Sequence, residues 1–342
     1  MNSMKKIVFT LAHMAFFLLG WVKYLIFGAN SIRSHQALVF FFCNTGGWFN
    51  DWCSRSVSFF HQPLPLLSRK GLLGDMSGPD GQKLLMQLEE KGYVSFERAL
   101  PIDACERLMN FALHTPAMVR PMDGEAKSVE SKAAIFEENE PKAVRYDYMP
   151  NDLLANQDVQ KLLSDGSLLA LAEMYLNARP RFDVLSMWWH TSFHAQPDSE
   201  AAQFYHFDLD RLKWLKVFIY LTDVGPKDGP HSFIEGSHIT GGIPQKLLNK
   251  GYVRLSDEEV LSNYAASKEI RFAAPKGTVI VEDTRGLHKG NAVSGNSRLI
   301  LQLQLSNSLF GTTYPKSRLP SKISPELEVM IHRASDVYQA YL

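Results

Sequence analysis

The chain has 342 residues, of which 45% are apolar and 21% are charged. This composition excludes an intrinsically disordered protein, and the length suits one large globular domain with an extension. Thirty-six Lys and Arg balance 36 Asp and Glu, so the charge gives no support for a nucleic-acid partner. The three cysteines, Cys43, Cys53 and Cys105, lack zinc-site spacing and indicate a reducing compartment, with a Cys43–Cys53 disulfide left open.

The amino terminus departs from this average, because residues 7–22, IVFTLAHMAFFLLGWV, carry no formal charge. Sixteen helical residues span roughly 24 Å, and continuation to Phe27 reaches about 31 Å, the thickness of a bilayer core, if Lys23 extends to the interface. We therefore predict membrane association through residues 7–28. The alternatives are a hydrophobic arm packed on its own domain and a cleaved signal peptide, although no clear small-x-small cleavage site is present.

Three regions follow from the pattern of the whole chain. Residues 1–70 are predicted to be an apolar, aromatic-rich extension, because frequent Phe and Trp residues suit a membrane interface. Pro, Gly and Ser at residues 61–81 indicate a linker. The main domain is predicted over residues 71–320. Residues 321–342 are predicted to be a C-terminal amphipathic helix that starts from Ser324.

Helical patterns come first along the main domain and strands come later. Apolar residues at helical spacing predict helices within residues 81–92, 101–114 and 156–176, whereas the polar residues 115–150 predict a loop. After Pro180 the runs RFDVLSMWWH, LKWLKVFIYLTDV, GTVIVED and SRLILQLQLSNSLF alternate or are β-branched, as strands are. This order predicts a mainly β protein of the α+β class, a sandwich or closed barrel buttressed by helices, and argues against a doubly wound α/β sheet.

A histidine and an aspartate stand two residues apart in YHFDLD, so that His206 and Asp208 share one side of an extended segment. One such pair is weak evidence by itself. A second histidine, His288, follows the strand GTVIVED directly. Two imidazoles and one carboxylate on a single face of an octahedral ion form the facial triad of non-haem Fe(II) oxygenases. We therefore predict that His206, Asp208 and His288 are the metal ligands and the catalytic centre.

Such an ion has three remaining coordination positions, which an oxo acid and dioxygen occupy. Arg298 is the first residue of the predicted strand that follows His288. In RLILQLQL the leucines share one face, which should meet helices, while Arg298 and Gln302 share the other, which should line a polar lumen. A guanidinium there can bind the distal carboxylate of 2-oxoglutarate, the alternative being an exposed edge charge. Gln302 is placed to touch cosubstrate or substrate. Lys216 begins another strand on the face of Phe218 and Tyr220, and is predicted either to contact the cosubstrate or to extend into solvent.

The combined pattern resembles a known family. The stretches YHFDLD, LKVFIYLTDVGPKDGPHSFIEGSH and GTVIVEDTRGLHKGNAVSGNSR are similar to those of the phytanoyl-CoA dioxygenase family of Fe(II)- and 2-oxoglutarate-dependent oxygenases. The resemblance covers roughly residues 85–312. It implies a double-stranded β-helix, or jelly roll, in which the histidine–aspartate–histidine triad binds Fe(II) and Arg298 binds 2-oxoglutarate. Asn291 lies where many relatives have an asparagine, which implies a supporting role at the cofactor site.

The prediction for function is a 2-oxoglutarate-dependent non-haem iron dioxygenase that uses Fe(II), 2-oxoglutarate and dioxygen to hydroxylate a C–H bond. Asp208 favours hydroxylation over halogenation, because halogenating relatives have a small residue at this position. The apolar amino terminus suggests a small-molecule substrate that is lipid-like or membrane-linked. Because 2-oxoglutarate and Fe(II) are mainly cytosolic, the catalytic domain is expected to face the cytoplasm. The rival interpretations are a non-catalytic, membrane-tethered jelly-roll binding protein and a cupin-like metalloenzyme that does not use 2-oxoglutarate.

Other polar residues near these motifs have plainer interpretations. His190 and His194 are four apart, but on a strand this separation is about 13 Å, which argues against a second metal site. His231 lies in a glycine-rich stretch and is predicted to make hydrogen bonds within a turn. Arg285 and Lys289 are predicted to be solvated loop charges, with contact to an anionic substrate as the alternative.

Overall fold

Two antiparallel sheets form the centre of the protein in a computed structural model that describes residues 3–120, 133–194 and 196–342. The strands are β1 (Lys70–Gly71), β2 (Gly74–Asp75), β3 (Tyr93–Phe96), β4 (Ala117–Val119), β5 (Ala133–Ala134), β6 (Arg145–Asp147), β7 (Arg181–His190), β8 (Trp214–Tyr220), β9 (His231–Ile234), β10 (Glu269–Phe272), β11 (Val279–Glu282), β12 (His288–Gly290) and β13 (Arg298–Ser306). The larger sheet has the order β3-β11-β8-β13-β7-β6-β4-β5, and the smaller has the order β10-β9-β12. Strands β1 and β2 form a separate short hairpin.

The two sheets face each other across a shared apolar layer. Phe218 and Ile300 of the larger sheet pack with Phe233 and Phe272 of the smaller sheet in one buried cluster. Side chains from two facing sheets fill the space between them, as in other β-sandwiches. The predicted jelly roll, supported by helices, is confirmed.

Helices pack around the two sheets, and many of them share the main core with the larger sheet. They are α1 (Ser3–Phe27), α2 (Ile32–Thr45), α3 (Trp48–Ser58), α4 (Pro79–Lys91), α5 (Ile102–His114), α6 (Pro150–Ala155), α7 (Gln157–Leu163), α8 (Gly166–Leu176), α9 (Gln245–Leu248), α10 (Asp257–Leu261) and α11 (Pro325–Arg333). Polar side chains start several of them, because they satisfy free backbone amides in the first turn. Asn156 caps α7, Asp165 caps α8 and Ser324 caps α11.

Strand β13 connects this helical layer to the interior of the jelly roll. Its leucines lie on the helix side and belong to the main core with α7 and α8; they are Leu299, Leu301, Leu303 and Leu305. Arg298 and Gln302 lie on the opposite side, where both line a cavity. The strand therefore has the two faces that alternation predicts, and its register places Arg298 beside His190 of β7.

Two sequence predictions differ from the structure. The loop predicted for residues 115–150 includes strands β4 and β6, which extend the larger sheet beyond β7; residues 121–132 of that stretch lie outside the described residues. The C-terminal helix ends at Arg333 and not at residue 342. The chain turns there because Tyr338 and Tyr341 are buried in the main core.

The amino-terminal helices pack on the jelly roll. Phe42 of α2 stacks on Phe207, with 5.5 Å between the ring centroids. The His35 Nε2 atom lies 2.9 Å from the Leu209 carbonyl oxygen. Hydrophobic and polar contacts thus anchor α2 to the main domain. The division of the chain at residue 70 stays a prediction.

One helix among the described residues, over Ile7–Phe27, is long and apolar enough to cross a membrane by length and composition. Part of its surface packs on the protein, as the predicted hydrophobic arm would. The three cysteines are buried free thiols, so Cys43 and Cys53 form no disulfide. Burial raises the pKa of the Cys43 thiol to about 11, which keeps it protonated.

Candidate metal and cosubstrate site

The predicted metal ligands come from two extended segments that pair with each other. The His206 amide donates to the His288 carbonyl at 3.0 Å, and the His288 amide donates to the His206 carbonyl at 2.8 Å. A further bond joins the Asp208 amide to the Thr284 carbonyl at 2.8 Å. Ligand atoms of His206, Asp208 and His288 lie within 4.8 Å of one another. The prediction that these three side chains meet is confirmed.

Backbone carbonyls orient both imidazoles. His206 Nδ1 lies 2.9 Å from the Phe204 carbonyl, and His288 Nδ1 lies 3.0 Å from the Gly286 carbonyl. A carbonyl only accepts, so each Nδ1 carries a proton, and Nε2 is the nitrogen left to bind a metal when the ring is neutral. The Nε2 atoms face Asp208, at 3.8 Å for His206 and 3.4 Å for His288. Burial and the neighbouring His288 lower the pKa of His206 well below its usual value, which favours the neutral ring that binds metals.

A buried lysine holds the Asp208 carboxylate. Lys216 Nζ donates to Asp208 Oδ2 at 2.6 Å and lies 3.6 Å from Asp210 Oδ2. Burial acts to raise the pKa of Asp208, but the Lys216 ammonium outweighs it and holds that pKa well below its usual range. Asp208 is therefore ionised, as a metal ligand must be.

A buried arginine lies in the same cavity. Arg298 Nη1 donates to the Gly229 carbonyl, and Nη2 donates to His190 Nδ1 at 2.7 Å. Because His190 accepts through Nδ1, its proton is on Nε2. Among the described residues, no group accepts a hydrogen bond from three buried nitrogen atoms here: Arg298 Nε, His190 Nε2 and Trp188 Nε1. Unsatisfied buried donors are costly, so they fit a polar ligand such as a carboxylate.

The triad histidines and Arg298 line one cavity of about 240 Å³. Its apolar walls are Trp188, Phe218 and Ile300, and Gln302 also lines it. Arg145 closes one side, with its guanidinium 4.4 Å from the centre of the Trp188 ring. A small dicarboxylate therefore finds a cationic group and apolar walls in the space next to the triad.

A second cavity of about 740 Å³ adjoins the first, because both are lined by Arg145, Val184, Ser186 and Tyr314. It extends to Gly28–Asn30, the turn between α1 and α2. The larger cavity therefore lies between the wall of the triad cavity and the carboxyl end of α1.

A buried pair, His231 and Glu282, lies beside the triad cavity. His231 Nε2 is 3.0 and 3.1 Å from the two Glu282 oxygens. Burial raises the pKa of Glu282 to about 8, and burial with the charge of Arg298 lowers the pKa of His231 to about 3. At neutral pH the protonated carboxyl therefore donates to a neutral imidazole. The prediction of a turn hydrogen bond for His231 is wrong, since this residue lies in β9 and lines the cavity.

The loop charges near the third ligand are also buried, so the prediction that they are solvated is wrong. Arg285 donates to Asp283 at 2.7 Å and to Asp51 at 2.6 Å. Lys289 donates to both oxygens of Asp257 at 2.6 Å. These pairs connect distant segments of the chain, and neither cation lines the triad cavity.

The other predicted residues divide between the cavity and its support. Gln302 lines the cavity, but Asn291 does not. The Asn291 amide donates to the Pro230 carbonyl at 2.5 Å and to the Ser232 hydroxyl at 2.7 Å, so it connects β12 to β9. His190 is a cavity residue that the sequence analysis missed. Alternation in RFDVLSMWWH puts it on the face of Trp188, but the sequence does not tell which strand pairs with β7.

A jelly roll with two histidines, an ionised aspartate and a buried arginine around one cavity defines the class of non-haem metal proteins with a facial triad. The phytanoyl-CoA dioxygenase (PhyH) family matches residues 88–300, more than half of the chain. The protein belongs to this family.

The chain also resembles individual proteins. It is 28% identical over 136 residues to an ectoine dioxygenase of Stutzerimonas stutzeri (strain A1501), an alignment that spans 37% of this chain and 43% of that relative. HygX from Streptomyces hygroscopicus, solved with nickel and 2-oxoglutarate, is 14% identical with a TM-score of 0.47 over 72% of this chain and 93% of that one. EctD from S. alaskensis in its apoform is 17% identical with a TM-score of 0.45 over 78% and 88%.

Proposed function

We propose that the protein is an Fe(II)- and 2-oxoglutarate-dependent dioxygenase that hydroxylates a C–H bond of a small-molecule substrate. The observation that carries the proposal is the meeting of His206, Asp208 and His288 beside a cavity that Arg298 also lines. When bound, Fe(II) and 2-oxoglutarate supply the oxidising chemistry: one oxygen atom of dioxygen enters succinate, the other enters the substrate C–H bond, and carbon dioxide is released.

The residues present fit both groups. Asp208 and the two unprotonated Nε2 atoms offer one carboxylate and two imidazoles from one side, and the rest of the coordination sphere is left to other ligands. Lys216 positions the Asp208 carboxylate, a supporting role that differs from the predicted cosubstrate contact. Arg298 offers its Nε donor and its positive charge to the far carboxylate of 2-oxoglutarate.

Two further residues of the cavity, His190 and Gln302, have supporting roles. His190 holds Arg298 in one orientation, because Nη2 donates to it at 2.7 Å. Gln302 also lines the cavity and offers an amide to the cosubstrate or the substrate. The apolar walls fix which C–H bond stands nearest the reacting centre, so cavity shape selects the product.

The test is anaerobic titration with Fe(II), followed by succinate formation from 2-oxoglutarate in air. We expect one iron per chain in the wild type and in His194→Ala, whose imidazole is exposed outside the cavity. We expect loss of iron and of succinate in His288→Ala. Wild-type protein that binds no iron would favour the non-catalytic binding protein. Iron-dependent oxidation that needs no 2-oxoglutarate would favour the cupin-like enzyme.

We also propose that the protein associates with a membrane through residues 7–28, with the catalytic domain in the cytosol and a lipid-like or membrane-linked substrate. The support is the length and apolar composition of Ile7–Phe27 and the extension of the larger cavity to the end of that helix. Deleting residues 1–29 tests the association, because the shortened protein should no longer sediment with cell membranes.

A further inference from the structure

Helix α1 is fixed to the catalytic domain along most of its length. Phe17, near its middle, is only 4% exposed. Toward the carboxyl end, the Tyr24 hydroxyl accepts a hydrogen bond from the Leu309 amide at 2.9 Å. Toward the amino end, the His13 ring stacks on Phe40 of α2 with 4.1 Å between the centroids. The inner face of α1 is therefore occupied by protein over about three turns.

The turn after α1 is tied down as well. The Asn30 side chain donates to the Gly311 carbonyl at 2.8 Å and accepts from the Gly311 amide at 3.0 Å. Midway along α1, Gly20 lies so close to α2 that a Cβ atom there would stand 2.1 Å from the Ser34 Cβ. Such close contact lets the two helices pack as one unit. The structure therefore gives α1 one protein-bound face and one free face.

The free face is apolar throughout. We call it the outer face of α1, and its exposed residues are Ile7, Val8, Leu11, Ala15, Leu18, Leu19, Val22, Leu25 and Ile26. At about 100° per residue these positions fall on one side of the helix, and none is charged. A helix on the surface of a soluble domain normally presents polar residues to water on this side.

Exposed apolar side chains are concentrated in the same part of the chain. Within the described ranges, 16 of the 27 exposed large apolar side chains lie between Ile7 and Leu67. They include Trp48, Trp52 and Phe60, and aromatic rings of this kind suit the boundary between lipid and water. An apolar patch of this extent indicates an interaction surface.

The charge of the region identifies its partner. From residue 1 to residue 60 the sequence has five basic residues and one acidic residue, Asp51, in a chain whose overall charges balance. The next two basic residues, Arg69 and Lys70, pair with Glu173 and Asp75. Asp51 is paired with Arg285 of the main domain. The region around the outer face therefore has a basic excess, and Lys5 and Lys23, five helical turns apart, lie on the same flank of α1. Apolar surface bordered by basic residues matches the surface of an anionic bilayer.

We propose that α1 docks by its outer face on an anionic lipid surface while it stays packed on the catalytic domain, so that it enters one leaflet and does not cross the bilayer. This inference deepens the membrane association of the proposed function and rests on it. A single helix that crosses the bilayer is surrounded by lipid and cannot keep its contacts with a domain outside the bilayer. For α1, crossing would break the Tyr24 contact and expose Phe17 and the aromatic cluster around it.

The first experiment measures sedimentation of the full chain with vesicles of equal parts phosphatidylcholine and phosphatidylglycerol. We expect Leu19→Glu/Leu25→Glu to weaken binding roughly 100-fold, since each leucine withdrawn from lipid contributes on the order of ten-fold. Both side chains are exposed, so the fold should persist, which thermal unfolding checks. Met86→Glu on α4 is the matched control, an equally exposed apolar residue outside the region, and should bind like the wild type.

Two results of this experiment would overturn the proposal. One is unchanged vesicle binding by the double variant. The other is a wild-type protein that does not bind vesicles but forms a dimer, together with a double variant that is a monomer. In that case a second copy of the chain would cover the outer face. Iron and 2-oxoglutarate binding by the full chain without vesicles tests the proposed enzyme separately, so either proposal can fail alone.

The second experiment distinguishes docking from crossing. Lys5→Cys and Lys23→Cys place a thiol near each end of α1, and the native cysteines are buried. In sealed vesicles of one orientation prepared from expressing cells, a membrane-impermeant maleimide should modify both introduced thiols to the same extent and from the cytosolic side. Modification of the two positions from opposite sides would show a spanning helix and contradict docking in one leaflet.

Discussion

Arg298 is held in one orientation by acceptors from two different segments, the Gly229 carbonyl and His190 Nδ1. Lysine at this position would keep the charge but lose the planar fork. We expect Arg298→Lys to raise the dissociation constant for 2-oxoglutarate roughly 10- to 100-fold, the effect of losing one or two charge-assisted hydrogen bonds, and to leave Fe(II) binding intact.

Calorimetric titration of the anaerobic, iron-loaded protein with 2-oxoglutarate measures this change. Arg271→Lys is the matched control, because Arg271 is an exposed residue of the edge strand β10 and pairs with Glu269. Equal 2-oxoglutarate affinity for Arg298→Lys and the wild type would remove Arg298 from the cosubstrate site.

Glu282 makes stability depend on pH. Its pKa is raised from 4.5 to about 8 in the folded protein by burial, whereas an unfolded chain has the ordinary value. Below pH 4.5 both states are protonated and the carboxyl contributes its full stability. Between pH 4.5 and about 8 only the unfolded state loses its proton. The contribution of Glu282 to the free energy of unfolding therefore falls as pH rises, by about 1.4 kcal/mol per pH unit.

Glu282→Gln keeps a hydrogen-bonding side chain next to His231 but cannot ionise. We therefore expect the free energy of unfolding of the wild type, relative to this variant, to decrease by a few kcal/mol between pH 5 and pH 8.5. Urea unfolding of metal-free protein at the two pH values gives the difference. A constant gap between the two proteins would mean that Glu282 titrates normally.

At the scale of secondary-structure elements, the sequence predicts the side-chain alternation within a strand well. It does not predict which strands pair with each other. Alternation in β13 predicts which side meets the helices and which side carries Arg298, because side-chain direction depends only on position along the strand. The contact of Arg298 with His190 depends on β13 pairing with β7, more than a hundred residues away. No local pattern encodes that choice.

The same limit explains the charges that the sequence analysis placed in solvent. Arg285 lies in the loop before β12 and Lys289 lies in β12, and their ion pairs depend on Asp51 and Asp257, which come from other parts of the chain. The histidine–aspartate–histidine triad could be predicted although His288 is far from Asp208 in the sequence, because metal binding demands particular residue types at particular spacings. Ion pairs make no such demand.

The contact between α1 and α2 allows a prediction for these two elements. Valine at position 20 would force its side chain against Ser34. Valine has a better helix propensity than glycine, so a loss of stability would come from this contact and not from the helix itself. We expect Gly20→Val to destabilise the protein by about 1–3 kcal/mol through overpacking and to open α1 to thermolysin. Ala15→Val, on the outer face of the same helix, should do neither. Equal protease resistance in both variants would show that the two helices are not packed at Gly20.

At the scale of the whole molecule, the extension and the catalytic domain act as one body. Asn30 joins the turn after α1 to Gly311, just beyond the strand that carries Arg298. The larger cavity lies between this turn and the triad cavity. Under the proposed docking of α1, this cavity is the space through which an apolar part of a substrate would enter from the lipid surface.

The metal ligands connect segments that are 80 residues apart, so metal binding should stabilise the entire fold. An ion that binds only the folded state contributes about 2.7 kcal/mol when its concentration is one hundred times the dissociation constant. We expect anaerobic Fe(II) to raise the melting temperature of the wild type by on the order of 5 °C relative to protein with a chelator. Asp208→Asn keeps an acceptor for Lys216 but loses the ligand charge, and its melting temperature should not respond. His194→Ala should respond like the wild type, because that imidazole is exposed and outside the triad. An equal response in all three proteins would place the bound iron elsewhere.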